Sequence, residues 1–415
     1  MSQKKNLVDD YIRGNHIITI KTPSFALYVV EKTKMDTVIE ETKQILREYH
    51  LCDYCLGRMF ASRMGLVSHK NLGKKIRKII KQNNPKSCYL CKNLMPELDV
   101  FLNKMLDISK EYEFSTFLIG AILKPSILDR DDIVRSKFKL RGIAGIKSDI
   151  TREMGKQFGK KTRTKVDYQN PDIVFTIDFK KEQCEVKPKA LILQGRYTKE
   201  IRGIPQKQES CIRCGGKGCF VCDFHGISEF NSVEGKIAKF LFEKFGAQQA
   251  KMTWIGGEDE SSLVLGNGRP FFVKLINPHK RKITLPKNIA LEGVSILHLK
   301  TVSKIPADQI KFKTDVLLEI ATEKDLVPEA LNVLEGLKDM PISISENTSW
   351  KNQKRIYDIK IKKIDPKSFT ILVELDGGIP LKRFVTGNNV EPNISMLLEN
   401  SCKCTTFDFH KIMLS

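Results

Sequence analysis

An α+β protein of two principal modules is what this sequence predicts, and three observations carry the prediction. Eight of the 11 cysteines fall into two quartets, Cys52, Cys55, Cys88 and Cys91, then Cys211, Cys214, Cys219 and Cys222. Helical and strand periodicities are mixed along both halves of the chain. The formal charge is +21 on 415 residues, from 70 Lys and Arg against 49 Asp and Glu.

Two thiolates separated by two residues on a tight knuckle grip one side of a tetrahedral zinc ion, and a second such pair completes the shell. The first quartet spreads its halves widely, so it reads as a structural staple within one subdomain. In the second, Cys211-Ile-Arg-Cys-Gly-Gly-Lys-Gly-Cys-Phe-Val-Cys222, the halves are so close that glycines must provide the tight reversals. One or two structural zinc ions are therefore expected. Disulfides are disfavoured, because Met1-Ser-Gln-Lys-Lys-Asn6 lacks the apolar core of a secretory signal and a reducing, cytoplasmic setting is expected. Cys184, Cys402 and Cys404 carry no ligand spacing and read as packing.

In chain order, Asp36 reads as an N-cap, followed by a helical stripe of Val38, Ile39, Ile45, Leu46 and Tyr49. A second helix is predicted over 73–81, with Ile76, Ile79 and Ile80 inward, between the halves of the first quartet. From about 92 to 195, helical stripes alternate with β-rich runs at Ile173–Ile177 and Leu191–Leu193. The glycine-rich second quartet reads as a hinge. Ser232 then caps a helix bearing Val233, Ile237, Phe240, Leu241 and Phe245, which Gly246 ends. Strands are predicted at Phe271–Ile276, Val316–Ile320, Tyr357–Ile361 and Thr370–Leu375, several alternating as in a sheet with one covered face. The resulting division is 1–35, an N-terminal segment; 36–200, an accessory module; 201–230, a Cys-rich hinge; and 231–415, a second α+β domain.

Every apolar stretch is interrupted by charge before it reaches bilayer-spanning length, so no membrane partner is expected. The basic surplus recurs in patches, at 74–78, 160–165 and 279–282, which suits phosphate tracking along a nucleic acid. No obligatory protein partner is evident. A Gly-x-x-x-x-Gly-Lys-Ser/Thr loop, a Gly-x-Gly-x-x-Gly and the His-x-Glu of zinc deaminases are all missing, which disfavours those chemistries. The remaining chemical candidate is Trp254-Ile-Gly-Gly-Glu-Asp-Glu-Ser-Ser262, an acidic pair on a glycine turn in a basic chain. An acidic surface turn is its plainer reading.

A family resemblance changes that balance. Gly195-Arg-Tyr-Thr-Lys-Glu-Ile-Arg-Gly-Ile-Pro-Gln206, the Cys-rich loop, Gly256-Gly-Glu-Asp259, Gly266-Asn-Gly-Arg-Pro-Phe271 and Asn277-Pro278 resemble the THUMP-containing tRNA pseudouridine synthases of archaea and eukaryotes, the tenth pseudouridine synthase class. Leu51-Cys-Asp-Tyr-Cys-Leu-Gly-Arg-Met-Phe-Ala61 is similar to that family's zinc knuckle. The resemblance implies a zinc-binding and THUMP accessory module that holds tRNA. A mixed α/β-sheet pseudouridine synthase domain follows it. The implied reaction is isomerisation of uridine at positions 54 and/or 55 of the TΨC arm, without an organic cofactor. Asp259 aligns with the catalytic aspartate, and either a nucleophilic or a glycal route is open to it. Arg269, Asp315 and Lys382 are the implied substrate-binding residues.

Departures from the family pattern are local. Gly257, Ser261 and Leu263 replace charged residues, so a charge network around the aspartate is expected to be missing. Asp315 stands near the place of the uracil-stacking tyrosine, and Pro380 replaces a second tyrosine. Lys382 is retained and is expected to pair with Asp259. The altered pocket leaves a second reading, a non-catalytic zinc-containing tRNA-binding protein or chaperone.

Overall fold

The structure, a computed structural model, describes residues 23–65, 68–345 and 351–414. It divides into two compact units, residues 1–106 with 118–166 and 175–185, and residues 107–117 with 167–174 and 186–415. Residues 1–22 of the expected N-terminal segment lie outside the described residues. Among the described residues no helix is long and apolar enough to cross a membrane.

The first unit is led by helices α1 (Pro23–Glu48), α2 (Asp53–Met64), α3 (His69–Ile80) and α4 (Leu94–Ser109). Asp36 is not a cap: α1 runs through it, because the sequence ahead of Asp36 lacks a helix breaker other than Pro23, which is tolerated in a first turn. The predicted stripe is nonetheless inward, with Val38, Ile39 and Ile45 buried. Helix α3 begins four residues before the predicted start and presents Ile76 inward, while Ile79 is exposed. It crosses α2 so closely that a Cβ on Gly73 would lie 1.8 Å from the Asp53 carbonyl. Strands β1 (Thr116–Ile122), β2 (Lys165–Val166), β3 (Ile173–Asp178) and β4 (Gln183–Pro188) form a sheet ordered β2-β1-β3-β4, with α5 (Pro125–Lys137) and α6 (Ile146–Thr162) in its connections. A buried Arg58–Asp131 pair ties α2 to α5, and Asp131 also accepts the Ile146 N–H at 2.9 Å.

The second unit is organised by one large sheet. Its elements are β5 (Leu191–Lys199), α7 (Val233–Phe245), β6 (Gln249–Trp254), β7 (Val264–Ile276), β8 (Asn288–Leu291), β9 (Val294–Val302), β10 (Phe312–Thr322), β11 (Pro341–Ser345), β12 (Lys351–Asp365), β13 (Ser368–Asp376), α8 (Leu381–Thr386), β14 (Val390–Glu391) and β15 (Cys402–Leu414). The order is β14-β11-β12-β13-β10-β15-β7-β5-β9-β8, with β6 paired to β7. All the predicted strand cores lie in these strands, whose real lengths exceed the apolar runs because polar residues occupy the open face. On β13, Phe369, Ile371, Val373 and Leu375 point inward at period two.

Helix α7 follows its sequence signals closely. The Ser232 hydroxyl accepts the Gly235 N–H at 2.9 Å, and Gly246 closes the helix in the left-handed region at φ 58°. Its Ile237, Leu241 and Phe245 enter the core, each contributing about 1.5–3 kcal/mol of transfer free energy. The late strand β15 joins the two halves of the sheet, antiparallel to β10 and parallel to β7. There Asn267 donates to the Ile412 carbonyl at 3.0 Å and accepts the Ile412 N–H at 2.9 Å. Gly266 is required beside it, since a Cβ would lie 2.1 Å from the His410 carbonyl and φ is +57°. The Cys-rich segment read as a hinge lies inside this second unit.

Candidate active site

The loop from β6 to β7 carries the acidic pair, and the structure sends its two carboxylates to opposite environments. The Glu258 side chain is fully buried, 3.3 Å from the Lys199 ammonium and 3.7 Å from the Arg269 guanidinium. Neither contact has hydrogen-bond geometry, and burial pushes the Glu258 carboxyl up against the pull of both cations. The Lys199 ammonium, lowered by the same burial, spends its protons on backbone instead. It donates to the carbonyls of Asp259 at 2.9 Å and Ile204 at 3.0 Å. A buried lysine thus clamps the chain on both sides of the site.

Asp259 faces out. Its Oδ2 accepts Lys382 Nζ at 2.7 Å, and its Oδ1 accepts the Ser261 N–H at 2.9 Å and the Ser261 hydroxyl at 2.6 Å. These donors, Lys382 first, hold the carboxyl down to about 2, and Asp259 in turn raises Lys382. Asp259 is therefore a carboxylate at any physiological pH. The charge network expected to be missing is rebuilt from distant residues: Arg202 binds Asp408 through two contacts of 2.7 Å and donates to the Ser261 carbonyl, while Asp408 accepts the Leu263 N–H at 2.9 Å.

Asp259 opens onto a cavity of about 380 Å³ shared by Lys382, Phe312, Thr314, Pro380 and Phe407, among others. Phe312, partly buried, slots between two glycine backbones. A Cβ on Gly377 would lie 2.3 Å from its ring and one on Gly256, at φ +78°, 2.7 Å. Arg269 belongs to the floor rather than the mouth: it is buried, donates to the Ile255 carbonyl at 3.1 Å and lies 4.2 Å from the Phe409 ring centroid. The structure does not bring Asp315 to this cavity. Alternation along β10 turns Thr314 to the Asp259 side and Asp315 to the other face, where it lines a separate hollow with Lys362, Lys363 and His410.

The two cysteine quartets assemble as the spacing implies, each with its four Sγ atoms within 4.8 Å of one another. All are free thiols. Cys52 and Cys91 stand 3.8 Å apart in the first, and Cys214 and Cys222 3.8 Å apart in the second. Tetrahedral zinc with Zn–S bonds of about 2.3 Å places sulfurs about 3.8 Å apart, so both sets fit the ion. Amides point at the sulfurs as thiolates require, from Cys52 to Cys88 in the first site and from Gly218 to Cys214 in the second. Burial opposes ionisation of Cys222, but the Cys219 and Gly226 amides help bring it down to about 7. Zinc bound there would supply a structural crosslink. Cys402 and Cys404 are buried, as packing residues should be.

Phe312, Lys199, Arg202 and Asp408 escaped sequence reading. Phe312 lies one residue before Lys313-Thr-Asp315, so the aromatic signal was adjacent. Lys199 and Arg202 lie in the 195–206 segment, whose tie to the Asp259 loop depends on three-dimensional pairing.

An ionised aspartate at the mouth of an aromatic-walled cavity, carried by a large mixed sheet, is the candidate site of the second unit. Family models agree on both parts of the chain: the archaeal Pus10 THUMP domain matches residues 101–178, and the Pus10 C-terminal domain matches residues 192–413. The chain belongs to the Pus10 family and is a pseudouridine synthase. It is 50% identical over 380 residues to the tRNA pseudouridine synthase Pus10 of Nitrosopumilus maritimus (strain SCM1), covering 92% of this chain and 99% of the relative. The protein of the same name from Cenarchaeum symbiosum (strain A) is 36% identical, over 88% and 90%. That from Pyrococcus furiosus is 27% identical, over 91% and 98%. Among solved structures, a Cbf5-Nop10-Gar1 complex aligns with 42% of this chain and 44% of its own at 9% identity and a TM-score of 0.28, too slight a likeness to carry an argument.

Proposed function

We propose that this chain isomerises uridine to pseudouridine at position 54, position 55 or both in the TΨC arm of tRNA, with Asp259 as the catalytic group and no organic cofactor. The observation that carries the reading is the Asp259 carboxylate, kept ionised by Lys382 and Ser261 beside a cavity walled by Phe312, Phe407 and Pro380. The N1–C1′ bond breaks, uracil turns, and C5 bonds to C1′; the C5 proton is lost and N1 gains one, so no atom enters or leaves overall. A carboxylate serves as nucleophile toward the ribose or base, or as base toward the ribose 2′ proton. Phe312 offers the extruded uracil an apolar face, in the role left open by the absent tyrosine. Extrusion costs a few kcal/mol, which contacts from the basic surface to the rest of the tRNA offset.

The intact Asp259 and its donors favour turnover over the non-catalytic binding reading. Pseudouridine mapping of an unmodified tRNA transcript, incubated with purified protein, tests the proposal. Product at the adjacent TΨC uridines is expected with wild type and none with Asp259→Ala; equal product from both would remove Asp259 from the chemistry.

A further inference from the structure

Holding a metal asks only for the four sulfurs of the second quartet, yet the residues beside them are apolar and stand in solvent. Ile212 is 98% exposed and Phe220 84%, with Val221 and Phe224 also exposed. Isolated apolar residues on a surface are ordinary; four within Ile212–Phe224 on one small knuckle are not. Two of them directly follow Cys211 and Cys219, whose sulfurs are 4.0 Å apart.

The knuckle is mounted rigidly. Cys211 N–H donates to the Gly226 carbonyl at 2.8 Å, and the Gln249 side chain donates to the carbonyls of Lys217 at 2.9 Å and Phe224 at 3.3 Å. His225 Nδ1 donates to the Gln248 carbonyl at 2.8 Å, and its ring stacks on Phe242 at 3.9 Å with an interplanar angle of 5°. Asp223 and Phe224 are held at φ 46° and 62°, a left-handed conformation non-glycine residues seldom adopt without a reason. Exposed Arg213 and Lys217 interleave with the apolar residues.

We infer that this knuckle is a stacking platform for an unpaired base of the bound RNA, with Ile212 and Phe220 giving the apolar surface and Arg213 and Lys217 meeting the flanking phosphates. The inference rests on the RNA-modifying reading above. Aromatic faces interleaved with cations are the chemistry that recognises single-stranded segments, and the +21 charge of the chain supplies the long-range attraction. A purely apolar protein partner would gain nothing from the two cations. Position supports the same occupant. Gln249 fastens the knuckle at one end of β6, and the Asp259 loop leaves the other after Trp254, roughly 17 Å of strand away. One folded RNA spans that distance.

The test is binding of an unmodified tRNA transcript, and of a short single-stranded RNA, to the full chain and its variants. Stacking on one base is worth about 1–3 kcal/mol, so Ile212→Ser with Phe220→Ser should raise Kd about 5- to 150-fold, with the salt slope unchanged. Arg213→Ala should instead flatten the slope. Phe220→Trp should bind as wild type and show emission, above the wild-type background, that is quenched on adding RNA. Wild-type Kd in the double serine variant, or a Phe220→Trp emission blind to RNA, overturns the inference and leaves the face to a protein partner. Metal content by elemental analysis separates local unfolding from lost contact; if the double variant loses metal, the Phe220→Trp quench decides. Wild-type pseudouridine formation is read in parallel, so failure of the platform and failure of the proposed function are distinguished.

Discussion

Glu258 and Asp259 are neighbours bearing the same functional group, and the fold gives them opposite tasks. Glu258 is enclosed with Lys199 and Arg269, where a charge survives only through its partners. Asp259 keeps part of its surface in solvent and takes its donors from Lys382 and Ser261. The difference teaches that proximity to charge does not mark a reactive group. A reactive carboxylate needs its ionised form stabilised and open space beside it, and of this pair Asp259 meets both conditions.

Substitutions can break this contrast one side at a time. Asp259→Ala should lower pseudouridine formation by at least about 10³-fold, with the urea midpoint of the second unit nearly unmoved; a large midpoint shift would merge the two roles. Glu258→Ala leaves two cations buried without an anion and should cost about 3–5 kcal/mol in urea unfolding followed by fluorescence. Product would fall only as the folded fraction falls. Lys382→Met should move the Asp259 carboxyl upward from about 2 toward its ordinary value of 3.8. In wild type the depressed carboxyl makes its stabilising contribution above pH about 4 and loses it as pH falls through about 2, so in the variant that contribution should be smaller at neutral pH and the acid window over which it is lost narrower. A ¹³C-carboxyl titration reads the shift directly. Ser261→Ala removes one donor and keeps the amide, so the same titration should move upward by less, with turnover reduced roughly two- to threefold.

What the sequence made legible was local. Cysteine spacing set both quartets, because each half is a Cys-x-x-Cys turn whose two sulfurs meet one ion from within four residues. Ser232 and Gly246 bounded α7, because caps act within one turn. Asp36 misled, since a capping residue is also tolerated within a helix and the apolar stripe alone does not show where α1 starts. The Asp259–Lys382 pair was readable only through resemblance, being 123 residues apart. Arg202 with Asp408 spans 206 residues, and no pattern announces it. Asp315 was misplaced relative to the cavity by a single step, because one residue along a strand reverses the face.

Strand β15 lies between β10 and β7 and so is the seam of the catalytic sheet. During synthesis, β5 through β13 emerge as two halves with no shared ladder, and Asp408 is not yet there to hold Arg202 and the Leu263 amide. Insertion of this one strand therefore closes the sheet and anchors the Asp259 loop together, so the site is assembled by the same event that completes the fold around it.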